Sequence, residues 1–117
     1  MHDCLYPEAD DQLARMRREL APQQLEAFRA FSKQAFADGA LGRRTKQLIA
    51  VAVAHTTQCP YCIAGHSQLA RRKGASDEEI MEAIWVAAEM RAGAAYAHSL
   101  LAMDELRAMD ETAPKLG

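Results

Sequence analysis

No excess of positive charge marks this sequence: fourteen Lys and Arg stand against sixteen Asp and Glu, for a formal net charge of −2. Binding along a phosphate backbone calls for a basic surplus, so nucleic acid is not an expected partner. There is no run approaching about 18 apolar residues, and the opening Met1-His2-Asp3-Cys4-Leu5-Tyr6-Pro7 has neither a basic n-region nor an apolar stretch. Membrane association is therefore not expected, and the expected location is the cytoplasm. Cysteine is rare, three in 117 residues, which is too few for a secreted disulfide framework. Internal repeats and low-complexity segments are missing as well. The length suits one domain, residues 1–117, able to bury about two-thirds of its unfolded surface.

β-Branched and aromatic residues are few, while alanine occupies twenty-four positions. Strands have little to form from, and the expected fold is all-α, a small bundle of five to six helices. Glu8 to Leu20 carries Leu13, Met16, Arg17 and Leu20 at helical spacing. Pro22 opens a second helix through Leu25, Phe28, Phe31, Ala35 and Phe36. Gly39 and Gly42 mark a joint between this N-terminal helical pair, about 8–38, and a core of about 41–106.

Arg43 to about Thr57 contains Leu48-Ile49-Ala50-Val51-Ala52-Val53-Ala54, apolar on every side. It reads as a helix at the centre of a bundle or at an interface, because alternating alanine disfavours a strand. Pro60 suits the first position of the next helix, with Cys59 as its N-cap and Gly74 just past its end. Ser76-Asp77-Glu78-Glu79 has the form of a capping box and starts a long helix to about Met109, which Gly93 is expected to bend or divide. The tail Asp110 to Gly117, containing Pro114, is expected to be loose.

The chemistry concentrates in His55-Thr56-Thr57-Gln58-Cys59-Pro60-Tyr61-Cys62-Ile63-Ala64-Gly65-His66. Cysteines at i and i+3 on a first helical turn face one side, close enough for a disulfide. So short a loop adds little chain entropy against reduction, which suits a catalytic disulfide better than a structural one. The helix N-terminus favours thiolate, above all at Cys62, and His66 at i+4 is placed to take the thiol proton. A peroxide-reducing thiol needs these parts: a thiolate, a proton route to the departing oxygen, and a second thiol to trap the sulfenic acid. Zinc bound by Cys59, Cys62 and His66, with His55 or His98 as a fourth ligand, is the alternative, as is a purely structural pair. The absence of a βαβ frame sets a thioredoxin fold aside.

Arg43 to Ala54, followed by Cys59-Pro60-Tyr61-Cys62 and His66, resembles the alkylhydroperoxidase D-like members of the carboxymuconolactone decarboxylase family over roughly Leu41 to Leu106. The resemblance implies that Cys62 attacks peroxide, Cys59 resolves the product as a disulfide, and His66 relays the proton. It also implies a thiol-dependent peroxidase or disulfide oxidoreductase of antioxidant defence with no cofactor. Its substrate would be a small hydroperoxide and its electron donor a dithiol or protein disulfide. Where the family carries a glutamate, twelve residues before the first cysteine, this chain has Gln47, which can orient a histidine but cannot accept a proton at neutral pH. Tyr61 stands where some peroxidase members have a second histidine. Decarboxylase members lack the Cys-x-x-Cys, so decarboxylation of a lactone acid is the lesser reading within the family.

His55, eight residues after Gln47 on nearly the same face, is either a substitute base or a contact of its helix's own C-terminal carbonyls. His98 and Arg91 share a stripe with Ile84, Ala87 and Ala94; His98 is expected as a hydrogen-bonded core or interface residue and Arg91 as an ion-pair or interface residue. Trp85, with Met81, Ala88 and Ala92, reads as core or subunit packing, Arg71-Arg72-Lys73 as a solvated helix end, and Cys4 as incidental. The two apolar helices exceed what a short chain can cover, so a homo-oligomer is expected, with the resemblance favouring a hexamer over a trimer.

Overall fold

The computed structural model describes residues 5–8 and 10–112. Five α-helices follow one another, and among the described residues there is no strand: α1 Asp11–Leu20, α2 Pro22–Phe36, α3 Arg43–Thr57, α4 Pro60–Arg72 and α5 Asp77–Thr112. The chain divides into two compact units, Met1–Asp38 and Gly39–Gly117.

In the first unit, α1 begins later than the apolar spacing predicts. Its start is set by the Asp10 side chain, which accepts the Leu13 N–H at 2.8 Å as an N-cap. Pro22 takes the first position of α2, as its fixed φ and missing N–H allow. Phe28 and Phe31, at i and i+3, bring their rings to 6.3 Å. Cys4 lies outside the described residues.

The second unit is built from α3, α4 and α5. Its core is compact: Val51 and Ala70 are fully buried and Ala75 nearly so, with Leu48, Ile80 and Ile84 packed around them. Full burial of Val51 is worth about 1.5–3 kcal/mol. α3 is not buried on every side: Val51 and Ala54 face inward, while Ile49 and Val53 are half-exposed. Its apolar character therefore covers both a core face and an outer one.

Helix ends follow their local residues. Thr57 is the last residue of α3, and Gln58 adopts the left-handed conformation at φ 57°, ψ 49°. The Gln58 and Cys59 N–H groups both return to the Ala54 carbonyl. That turn passes the chain from α3 into α4 within two residues. α4 ends at Arg72 with Lys73 as C-cap, and Gly74 supplies φ +96°, where a side chain would be strained.

The capping box forms as its spacing predicts: Ser76 Oγ accepts the Glu79 N–H at 3.1 Å, and the Ser76 N–H donates to Glu79 Oε1 at 2.9 Å. The Ser76 N–H and the Arg44 guanidinium hold the exposed Glu79 carboxyl below its ordinary range. α5 then runs unbroken for 36 residues, past the expected bend at Gly93. Glycine keeps its backbone N–H, so its only cost in a helix is about 1 kcal/mol of propensity. The helix also continues through Thr112, beyond the expected end near Met109; the rest of the tail, Pro114 included, lies outside the described residues.

Candidate active site

Three locally determined features place the two sulfurs. Pro60 starts α4, Cys59 takes extended backbone at the N-cap, and Cys62 falls on the third helical position. The Cα atoms are 5.2 Å apart, and the two sulfurs are joined as a disulfide. Cys59 Sγ also acts as the capping atom of the helix, accepting the Cys62 backbone N–H at 3.2 Å. Spacing alone assigns the benefit of the helix N-terminus to Cys62. In the structure the N–H that reaches sulfur is received by Cys59, because the N-cap side chain folds back over the first turn. Both cysteines are half-buried, and Tyr61 between them is about half-exposed.

His66 lies one turn beyond Cys62 on α4. Its Nδ1–H donates to the Gln47 side-chain oxygen at 2.8 Å, across nineteen residues of sequence. Gln47 is the one buried polar residue among the described positions, at 5% exposure. A bond to an amide oxygen fixes the imidazole as the tautomer whose ring lone pair is on Nε2, the arrangement of a base or a proton carrier. Gln47 thus stands where the family resemblance sets a glutamate, and it orients the ring without adding charge. Gln47, Val51 and His55 succeed one another at four-residue intervals on α3. The core valine therefore anchors the helix face that presents the amide.

His55 is occupied elsewhere. Its Nδ1–H donates to the Val51 carbonyl at 2.7 Å, one turn back on its own helix. The structure thus gives it the helix-end contact rather than a bond to Gln47 or His66. Arg91, expected in an ion pair or an interface, reaches from α5 to the Thr56 carbonyl at 3.4 Å. It compensates the C-terminal end of α3 close in sequence to Cys59. Arg71 is more than a solvated helix end, since it grips Asp77 through two hydrogen bonds of 3.2 and 2.8 Å. His98 and Trp85 are exposed, so neither belongs to the core of this chain.

Among the described residues no group of three or more His, Cys, Asp or Glu side chains is arranged to hold a metal ion. Both sulfurs are joined to each other. Among the same residues no helix is long and apolar enough to cross a membrane.

The arrangement can therefore cycle a dithiol and a disulfide beside an oriented imidazole. Sequence reasoning found both sulfurs, His66 and Gln47. It placed Cys59 at the N-cap, as observed, but assigned the benefit of the helix N-terminus to Cys62 rather than to the Cys59 sulfur, and it missed the anchoring of Arg91 on α3, for which the sequence offers no signal.

Comparison with known proteins identifies the family. The carboxymuconolactone decarboxylase family pattern matches residues 22–105. A protein of the cox locus of Paracoccus denitrificans, itself uncharacterised, is 61% identical over 109 residues, covering 91% of this chain and 97% of its own. A carboxymuconolactone decarboxylase family protein from Legionella pneumophila has a similar structure, with a TM-score of 0.62 and 42% identity over 68% of this chain and 70% of the other. A family member from Thermotoga maritima, for which a part in the antioxidative response has been suggested, matches with a TM-score of 0.53 and 25% identity, covering 71% and 95% of the two chains. The all-α fold, the Cys59–Cys62 disulfide on a first helical turn and these matches together establish that the chain belongs to the carboxymuconolactone decarboxylase family.

Proposed function

We propose that this protein is a cytoplasmic thiol-dependent peroxidase and disulfide oxidoreductase of the alkylhydroperoxidase D-like type. The observation that carries the reading is the Cys59–Cys62 disulfide on the first turn of α4, with His66 on the same helix held by Gln47. The suggested antioxidative role of the Thermotoga maritima relative supports it.

In the forward reaction His66 takes the Cys62 thiol proton, and the thiolate attacks the peroxide oxygen. An S–O bond forms, the O–O bond breaks, and the departing oxygen leaves as an alcohol with the proton that His66 returns. Cys59 then attacks the Cys62 sulfenic acid, forming the disulfide and releasing water. A dithiol donor restores both thiols by exchange and is itself oxidised to a disulfide.

The same reading includes a homo-oligomer, a hexamer or a trimer. Trp85, Met90, Tyr96, Leu100 and Leu101 of α5 are all more than 60% exposed, large apolar side chains that a neighbouring copy would cover. A hollow of about 440 Å³, lined among the described residues by Leu100, Leu101, Met103, Asp104 and Arg107 of α5, offers a seat for a neighbouring side chain.

The cysteine variants test the catalytic assignment. Cys62→Ser should lose reaction with a small alkyl hydroperoxide. Cys59→Ser should react once and stop at a sulfenic acid that dimedone traps on Cys62. Sulfenate on Cys59 in the Cys62→Ser variant, with none formed on Cys62, would reverse the roles. If the wild-type dithiol does not react with hydroperoxide, the peroxidase assignment is wrong.

A further inference from the structure

The peroxide reaction and the exchange reaction make different demands on sulfur. Peroxide cleavage expels an oxygen that must be protonated, so it needs a proton carrier at the attacking thiol. Disulfide exchange expels a thiolate, which leaves without a proton, so its chief requirement is a nucleophile already ionised at neutral pH. The two cysteines are supplied unequally for these tasks. Cys62 has His66 one turn along. Cys59 has the N-cap position, with its sulfur accepting the Cys62 N–H at 3.2 Å and its own carbonyl accepting the first helical bond, from Ile63, at 2.9 Å.

A backbone donor already aimed at Cys59 Sγ favours negative charge there once the disulfide opens. The groups on the surrounding elements add to the contrast. His55 on α3 is tied to the Val51 carbonyl, and His66 on α4 to Gln47. The Arg91 guanidinium of α5 lies on the Thr56 carbonyl, three residues before Cys59, bringing positive charge to the segment that leads into it. Tyr61 is the remaining titratable side chain between the sulfurs.

We propose that Cys59 carries the thiolate of the reduced pair and is the sulfur through which the protein exchanges with disulfides, while Cys62 meets peroxide. The assignment rests on the redox reading above and divides its labour. Cys59 thiolate attacks a substrate disulfide, forming a mixed disulfide at Cys59 and expelling one substrate thiolate, which is protonated by solvent. Cys62, losing its proton to His66 or solvent, then attacks Cys59 Sγ. The Cys59–Cys62 disulfide closes and the second substrate thiol is released. The substrate disulfide gains two electrons and the protein loses them. The same ionised Cys59 is the nucleophile that resolves a sulfenic acid on Cys62, so one capped thiolate serves both cycles.

Pulse alkylation of the reduced wild-type protein tests this without a variant. Sub-stoichiometric iodoacetamide at pH 6 should modify Cys59 about tenfold more than Cys62, because the thiolate is the nucleophile. Tandem mass spectrometry of the peptide between Lys46 and Arg71 locates the label. Equal labelling, or labelling first at Cys62, would overturn the assignment. A second readout is exchange with an aryl disulfide at the same pH. Cys62→Ser, which keeps the backbone N–H that caps Cys59, should react about tenfold faster than Cys59→Ser, and the opposite order would refute the proposal. Preferential labelling of Cys59 in a protein inert to hydroperoxide would uphold it while removing the peroxidase.

Discussion

The Gln47 amide oxygen holds the Nδ1–H of His66 at 2.8 Å, joining a buried side chain of α3 to the helix that carries the disulfide. The amide oxygen fixes the direction of the ring through its Nδ1–H, the geometry that the proposed proton transfer by His66 calls for.

Gln47→Glu should accelerate hydroperoxide consumption about tenfold, because a carboxylate at the same point stabilises the imidazolium formed when Cys62 gives up its proton. The comparison is of initial rates between pH 6 and 8. A folded variant that is no faster would mean that proton transfer at His66 does not limit the reaction, or that peroxide is not its substrate.

Gln58→Gly should stabilise the fold. Gln58 is a non-glycine residue at φ 57°, where a side chain costs about 1–2 kcal/mol and glycine relieves most of that. A rise of about 1 kcal/mol in unfolding free energy by denaturant titration is expected, reduced somewhat by the freer unfolded chain. A fall would mean that the Gln58 side chain makes compensating contacts.

Acid should loosen the start of α5. The Glu79 carboxyl is held below its ordinary value, first by the Ser76 backbone N–H and then by Arg44. A depressed carboxyl contributes stability that is present above the unfolded value, near 4.5, and is lost as pH falls through the lower folded value. Thermal midpoints followed from pH 6 down to 3 should therefore fall less steeply for Glu79→Gln than for wild type. Parallel curves would show that this carboxylate does not contribute to the acid response.

Leu101→Arg should reduce the assembled mass. Leu101 is 68% exposed in the chain and sits beside Leu100 on the part of α5 where every position from 100 to 112 is exposed. Burial of a guanidinium in an apolar interface without a partner is costly. Light scattering at micromolar concentration should report a smaller particle than wild type. A wild-type monomer would refute the oligomer itself.

What the sequence determined by itself is what depends on neighbours within a turn. Pro60, the Ser76–Glu79 pair and Gly74 set helix ends through bonds spanning three or four residues, and two cysteines three apart on a helical turn are near enough to join wherever the helix sits. The family resemblance also brought Gln47 to notice. Only the tertiary structure decided that Gln47 and His66 meet, since that bond depends on α3 packing against α4 around Val51 and Ala70. The same packing carried Arg91 to the end of α3 and left Trp85 and His98 on the outside of the chain. Periodicity locates an apolar stripe on a helix, but whether that stripe is covered depends on which other helices reach it. In α5 the covering helices α3 and α4 leave its last third bare, because both are less than half its length.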